Sequence, residues 1–190
     1  MAEAIAAEWN AQEGEIRPET MPVTRAANAA LDKVSTQRDE VVDMLAAYAG
    51  TDLLCHRASA PEALVARQEA AWAPLLDWAA RRHGAPLRVT AGVMPVAQPA
   101  RSLARLRLAV DGCDAFRLTA LHDLVAIPGS LVLGLAVLEG EIGPEAAWDV
   151  SRIDEAWQAE LWGRDPEAEA RDATRRRAFL DALRFSQLCA

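Results

Sequence analysis

Four acids, two tryptophans and an arginine crowd the stretch DVSRIDEAWQAELWG, residues 149–163, and Trp148 stands directly before it. Pro144 suits the first position of a helix, where its missing N–H would be unsatisfied in any case, so the spacing predicts one helix over 144–162. On that helix Val150, Ile153, Trp157 and Leu161 fall in one stripe, the pattern of a face docked on a core. Trp148, Glu155 and Trp162 recur at intervals of seven and line the opposite side, with Arg152 and Ala159 between them. A carboxylate bracketed by two indoles, with Asp154 beside it, is chemistry for recognition. Tryptophan and arginine dominate interface hot spots, and a central charge sets register and discrimination. The plainer reading has both faces buried within the chain and Glu155 paired to Arg152.

The residues suited to bond-making chemistry are scattered. Cys55 and His56 are adjacent, flanked by Asp52 and Arg57, which invites a nucleophile or metal reading. Neighbours on an extended segment point to opposite faces, so a buried thiol beside a surface imidazole fits better. Arg117, His122 and Asp123 would form a polar cluster at the start of an apolar helix, or simply a hydrogen-bonded group near a helix start. His83 reads as a cation at a helix end. No G-x-S-x-G, phosphate-binding loop, dinucleotide fingerprint or H-E-x-x-H occurs, so no catalytic residue, no metal site and no cofactor is expected. TRRRAF, 174–179, shares its helix with Glu167, Glu169, Asp172 and Asp181, which predicts an ion-paired solvated face in place of a basic patch.

These residues must be positioned by helices. Periodicity and punctuation predict helices over 2–12, 22–36, 37–49, 61–83, 99–111, 114–139, 144–162 and 166–188. Gly84 closes the long fourth one, after Arg81, Arg82 and His83 in its last turn. DLLCHR (52–57) and PLRVT (86–90) suggest short extended segments that pair with each other, and VMPVAQPA (93–100) is an irregular connector. The run from Leu124 to Leu138 is uncharged but only 15 residues long, short of the roughly 20 that span a bilayer. It reads as a buried central helix, kinked near Pro128 and Gly129. The expected fold class is mainly α: a multi-helix bundle around that helix, one domain over 1–190 with a possible sub-boundary near 50–60.

Composition bounds the partners. A 190-residue chain that is 52% hydrophobic closes a sizeable core without staples. A formal net charge of −8 repels phosphate backbones and anionic lipid, which argues against nucleic acid and membrane insertion. Cys55, Cys113 and Cys189 are odd in number and far apart, which fits a reducing compartment. MAEAIAAEWN carries acids where a targeting peptide carries bases.

Four phrases in order, GTDLLCHRA, WAPLLDW, LHDLVAIPGSLVLGLAVLEG and SRIDEAWQAELWG, resemble the assembly chaperone of the F-type ATP synthase catalytic head, across nearly the whole chain. The resemblance implies an ATP-independent chaperone with no catalytic step. Its partner would be the unassembled alpha subunit, held until it assembles with beta subunits. The acids of SRIDEAW look like that family's functionally sensitive region, here Asp154 and Glu155, and with Trp148, Trp162 and Arg152 they form the expected client-binding set. Family members usually carry a small β-rich segment before the first helix, whereas this chain begins with MAEAIAAEW; that segment is expected to be absent. The family's location is the cytoplasm in bacteria and the mitochondrial matrix in eukaryotes. Beside it stand two alternatives: a small enzyme around His122 and Asp123, and a passive helical scaffold.

Overall fold

The computed structural model describes residues 1–92 and 94–189, so Val93, the first residue of the predicted connector, lies outside it. The helices, in chain order, are α1 (Ala2–Asn10), α2 (Pro22–Ala29), α3 (Arg38–Ala47), α4 (Glu62–His83), α5 (Ala100–Asp111), α6 (Ala115–Ala126), α7 (Leu131–Leu138), α8 (Pro144–Ser151), α9 (Ile153–Trp162) and α10 (Pro166–Gln187). The mainly α expectation holds. The extended segments are shorter than predicted: β1 (His56–Arg57) pairs in parallel with β2 (Thr90–Ala91), two residues each. Half of the expected strand 52–57 is instead a 3-10 turn, Leu53–Cys55, nucleated when the Asp52 side chain accepts the N–H of Leu54 at 3.1 Å.

The predicted kinked helix over 114–139 is two helices. Gly129 takes φ +81°, a left-handed conformation that side chains resist, and the chain restarts at Ser130, whose hydroxyl caps α7 by accepting the N–H of Leu133 at 3.0 Å. The two helices fold back tightly: a Cβ on Gly134 would lie 2.6 Å from Val125 Cγ2 and 3.1 Å from the Leu124 carbonyl oxygen. Seven consecutive residues of α7, Leu131 to Val137, are buried, so the apolar run is a central helix as its composition requires. Around it pack α4, α6, α8 and α10, with α3 and α5 paired beyond α6. Val42 and Leu45 of α3 join Leu133 of α7 and Phe179 of α10 in one core cluster.

Asp52 ties the turn before β1 to this centre. Fully buried, its carboxylate accepts from the Ser130 hydroxyl at 2.7 Å, from the Leu54 N–H and, at 3.0 Å, from the Val132 N–H. It therefore serves the exposed donors of the first turn of α7 from outside that helix. Burial raises its pKa, against the opposing pull of those bonds. At the other end of the chain, α1 has no buried residue and is held by Glu8, which accepts the N–H groups of Val23 and Thr24 at 2.9 and 2.8 Å at the start of α2.

No helix among the described residues is long and apolar enough to cross a membrane.

Candidate functional site

The stretch from Pro144 to Trp162 breaks at Arg152, where φ is −114° and ψ 20°. Local hydrogen bonding accounts for the break. Ser151 Oγ donates back to the Trp148 carbonyl at 2.7 Å, and the Trp72 indole N–H claims the Val150 carbonyl at 2.8 Å, so two carbonyls of the last turn of α8 serve partners other than a continuing helix. The heptad alignment of Trp148, Glu155 and Trp162 presupposed one unbroken helix. Trp148 instead is buried, 6.1 Å from the Phe179 ring, and belongs to the core. Trp162 is 77% exposed.

Arg152 occupies the joint. Its guanidinium lies 5.7 Å over the Trp148 ring, reaches Glu155 at 2.8 Å and reaches Asp172 of α10 at 3.0 Å. The Glu155 side chain remains half exposed, whereas Arg152 is mostly buried. The pairing of Glu155 with Arg152 was part of the plainer sequence reading and is found; burial of both helix faces is not.

Docking of α9 ends at Glu160. Ile153 is buried, and Asp154 accepts from Gln68 Nε2 at 2.6 Å, while Gln68 Oε1 accepts the Ala58 N–H at 2.8 Å. Trp157 lies under the Arg67 guanidinium, 5.0 Å away, and Arg67 makes a two-pronged bond to Glu160 at 2.7 and 3.0 Å. Beyond this clamp the helix leaves the core. Leu161, predicted to face inward, is 57% exposed. The free end of α9 thus exposes both Leu161 and Trp162; Glu155, seven residues before Trp162, is nearly in line with it on the same helix, while Leu161 lies about 120° around from Glu155. Arg67 and Gln68 are positioning residues that sequence spacing does not reveal, since they lie 93 and 86 residues from their partners.

Elsewhere the candidate chemistry disperses. Cys55 is wholly buried, and burial pushes its thiol pKa up to about 12, which removes the nucleophilic thiolate. His122 and Asp123 do pair, Nδ1 to Oδ1 at 2.8 Å, on a half-exposed surface, and the Asp123 hydrogen bond raises the imidazole pKa. Arg117 does not join them: five residues apart on one helix, it and His122 point about 140° apart, and Arg117 lines a different pocket with His83. Arginines of α10 seek partners on other elements as well as on their own helix, Arg176 pairing with Glu145 and Arg171 with Glu167. Among the described residues no three His, Cys, Asp or Glu side chains come together as a metal-holding group.

Known proteins share this architecture. The family model described as ATP12 chaperone protein matches residues 1–80. The crystal structure of Atp12 from Paracoccus denitrificans superposes with a TM-score of 0.97 at 55% identity, covering 100% of this chain and 81% of that one. A point mutant of Atp12p from P. denitrificans gives 0.97 at 54% identity, with the same coverage. The Atu1473 protein of Agrobacterium tumefaciens gives 0.93 at 38% identity, over 98% of this chain and 70% of that one.

Proposed function

The chain belongs to the ATP12 chaperone family, and from that premise we propose that it binds the unassembled alpha subunit of the F-type ATP synthase and keeps it from aggregating until beta subunits arrive. It does so without a catalytic step. An orphan subunit exposes apolar surface meant for its neighbour, and such surface aggregates unless something covers it. The observation that carries the reading to particular residues is the free end of α9, where Leu161 and Trp162 are 57% and 77% exposed. Glu155 supplies the charge on the Trp162 side of that helix, with Asp154 and Arg152 setting its position and Trp148 supporting the joint from below. Few anchors and a polar surround give an affinity moderate enough for release.

Capture of the alpha subunit by tagged chain, read beside thermal unfolding, tests this. Glu155→Gln keeps the shape and deletes the charge, so the fold should lose no more than about 0.5 to 1 kcal/mol, the range of an exposed ion pair. Capture should weaken by about 2 kcal/mol or more, the cost of stripping one partner from a desolvated interfacial charge pair. Trp162→Ser should behave alike. Unchanged melts with unchanged capture in both variants would place the client on another face.

A further inference from the structure

The last turn of α4, the loop after it, α5 and the first turn of α6 form a basic island in an acidic chain. Between positions 81 and 117 lie Arg81, Arg82, Arg88, Arg101, Arg105, Arg107 and Arg117 against only Asp111 and Asp114, a local formal charge of +5 where the whole chain carries −8. Asp111 is taken by Arg38 at 2.9 Å and Arg107 by Asp43 at 2.7 Å. Arg105 and Arg117, both exposed, make no ion pair among the described residues. Set in this island is a shallow pocket of about 300 Å³, open to solvent, with Leu108, Leu135 and Leu138 as its apolar wall and Arg82, His83, Arg117 and Glu139 on its polar side; Glu139 holds Arg82 at 2.7 Å, which leaves Arg117 as the lining arginine without an ion pair among the described residues. Leu108 is 58% exposed, and Arg105, one turn before it on α5, shares its face.

His83 lines the pocket with a nine-tenths buried side chain, its Nε2 3.2 Å from Glu139 Oε1. The pocket is separate from the α9 face: Gln68, which holds Asp154, precedes Arg82 by fourteen residues of α4, about 21 Å along the helix.

We propose that this pocket seats an acidic segment of a protein partner, one apolar side chain packing on Leu108, Leu135 and Leu138 while flanking carboxylates meet Arg105 and Arg117. A nucleic acid would use the arginines but leave the leucine wall idle. The site stands whether or not the alpha subunit is the client at α9.

Fluorescence anisotropy of the full chain with a fluorescein-labelled Glu-Asp-Leu-Leu-Glu-Asp peptide tests it at low and moderate salt. The variants are Arg105→Glu combined with Arg117→Glu, and Leu108→Ser; all three positions are exposed, and an acid in the first turn of α6 suits its dipole, so wild-type melts are expected. The peptide should saturate the wild type, bind at least about tenfold more weakly to each variant, and weaken with salt as steered contacts do. Affinity unchanged in both variants, or no binding at about 1 mM peptide, would overturn the proposal. So would tighter binding of a labelled oligothymidylate than of the peptide, which would reassign the island to nucleic acid. Dimers in sedimentation that Leu108→Ser dissolves would reassign the pocket to a second copy of the chain.

Discussion

Asp52 and Cys55 sit three residues apart and show how one phrase carries two meanings. GTDLLCHRA looks reactive on paper, yet its acid is an internal cap and its thiol is core. Removing the Asp52 carboxylate strands the N–H groups of Leu54 and Val132 and the Ser130 hydroxyl in the interior. Unsatisfied buried donors cost about 1–3 kcal/mol each, so Asp52→Ala should lose about 3–5 kcal/mol. In a domain of this size that lowers the melting temperature by about 6–20 °C, measurable by calorimetry. Cys55 is testable by thiol labelling. With its pKa raised from 9.0 to about 12 by burial, it should stay unmodified by an aromatic disulfide reagent at about pH 8 in native protein and react once unfolded. The folded pKa lies above the unfolded one, so the stabilisation from the neutral buried thiol is complete below about pH 9 and is lost as pH rises from there toward 12. The stability difference between wild type and Cys55→Ala should shrink across that window. Rapid labelling of native Cys55 would restore the reactive reading.

At the scale of elements, Gly134 decides how closely α6 and α7 approach. Gly134→Ala would drive its Cβ into the branched Val125 side chain and the Leu124 backbone; overpacking of this kind costs about 1–3 kcal/mol. A lowered denaturation midpoint with an unchanged slope is the expected result, and an unchanged midpoint would mean that the hairpin is looser than its geometry implies. Legibility follows the same logic. Where one residue imposes the ending, the sequence is readable: Gly84 closes α4 at φ +66° where arginines and histidine fill the last turn. Where the ending depends on a distant partner, it is not. Nothing near Val150 announces that the Trp72 indole will take its carbonyl from 78 residues away, yet that bond helps end α8 and moves Trp148 into the core. The outward side of α9 was legible because it is local: Glu155 and Trp162 share one unbroken helix. Its clamp to Arg67 and Gln68 was hidden for the reason the Trp72 bond was.

For the whole molecule, the question is how a chain with so apolar a centre stays free to bind and let go. The core clusters include every residue from Leu131 to Val137 apart from Gly134. Outside them, exposed apolar side chains such as Trp9, Ile16, Leu31 and Met94 are scattered over the surface, beside the two places proposed to bind, the end of α9 and the leucine-walled pocket at the far end of α4. On the proposed function, the end of α9 occupies its client one molecule each, and the sequence carries no phosphate-binding loop or dinucleotide fingerprint that would couple release to nucleotide. Refolding alpha subunit followed by light scattering should therefore show suppression that saturates near an equimolar ratio and is unchanged by adding or omitting ATP. On the proposed function, the free energy for release would come from the beta subunit, competing for the same apolar surface with a larger interface, so addition of beta subunits should displace the chain in a pull-down. A strict need for ATP, or suppression at far below equimolar amounts, would require a turnover step and sink the holdase reading.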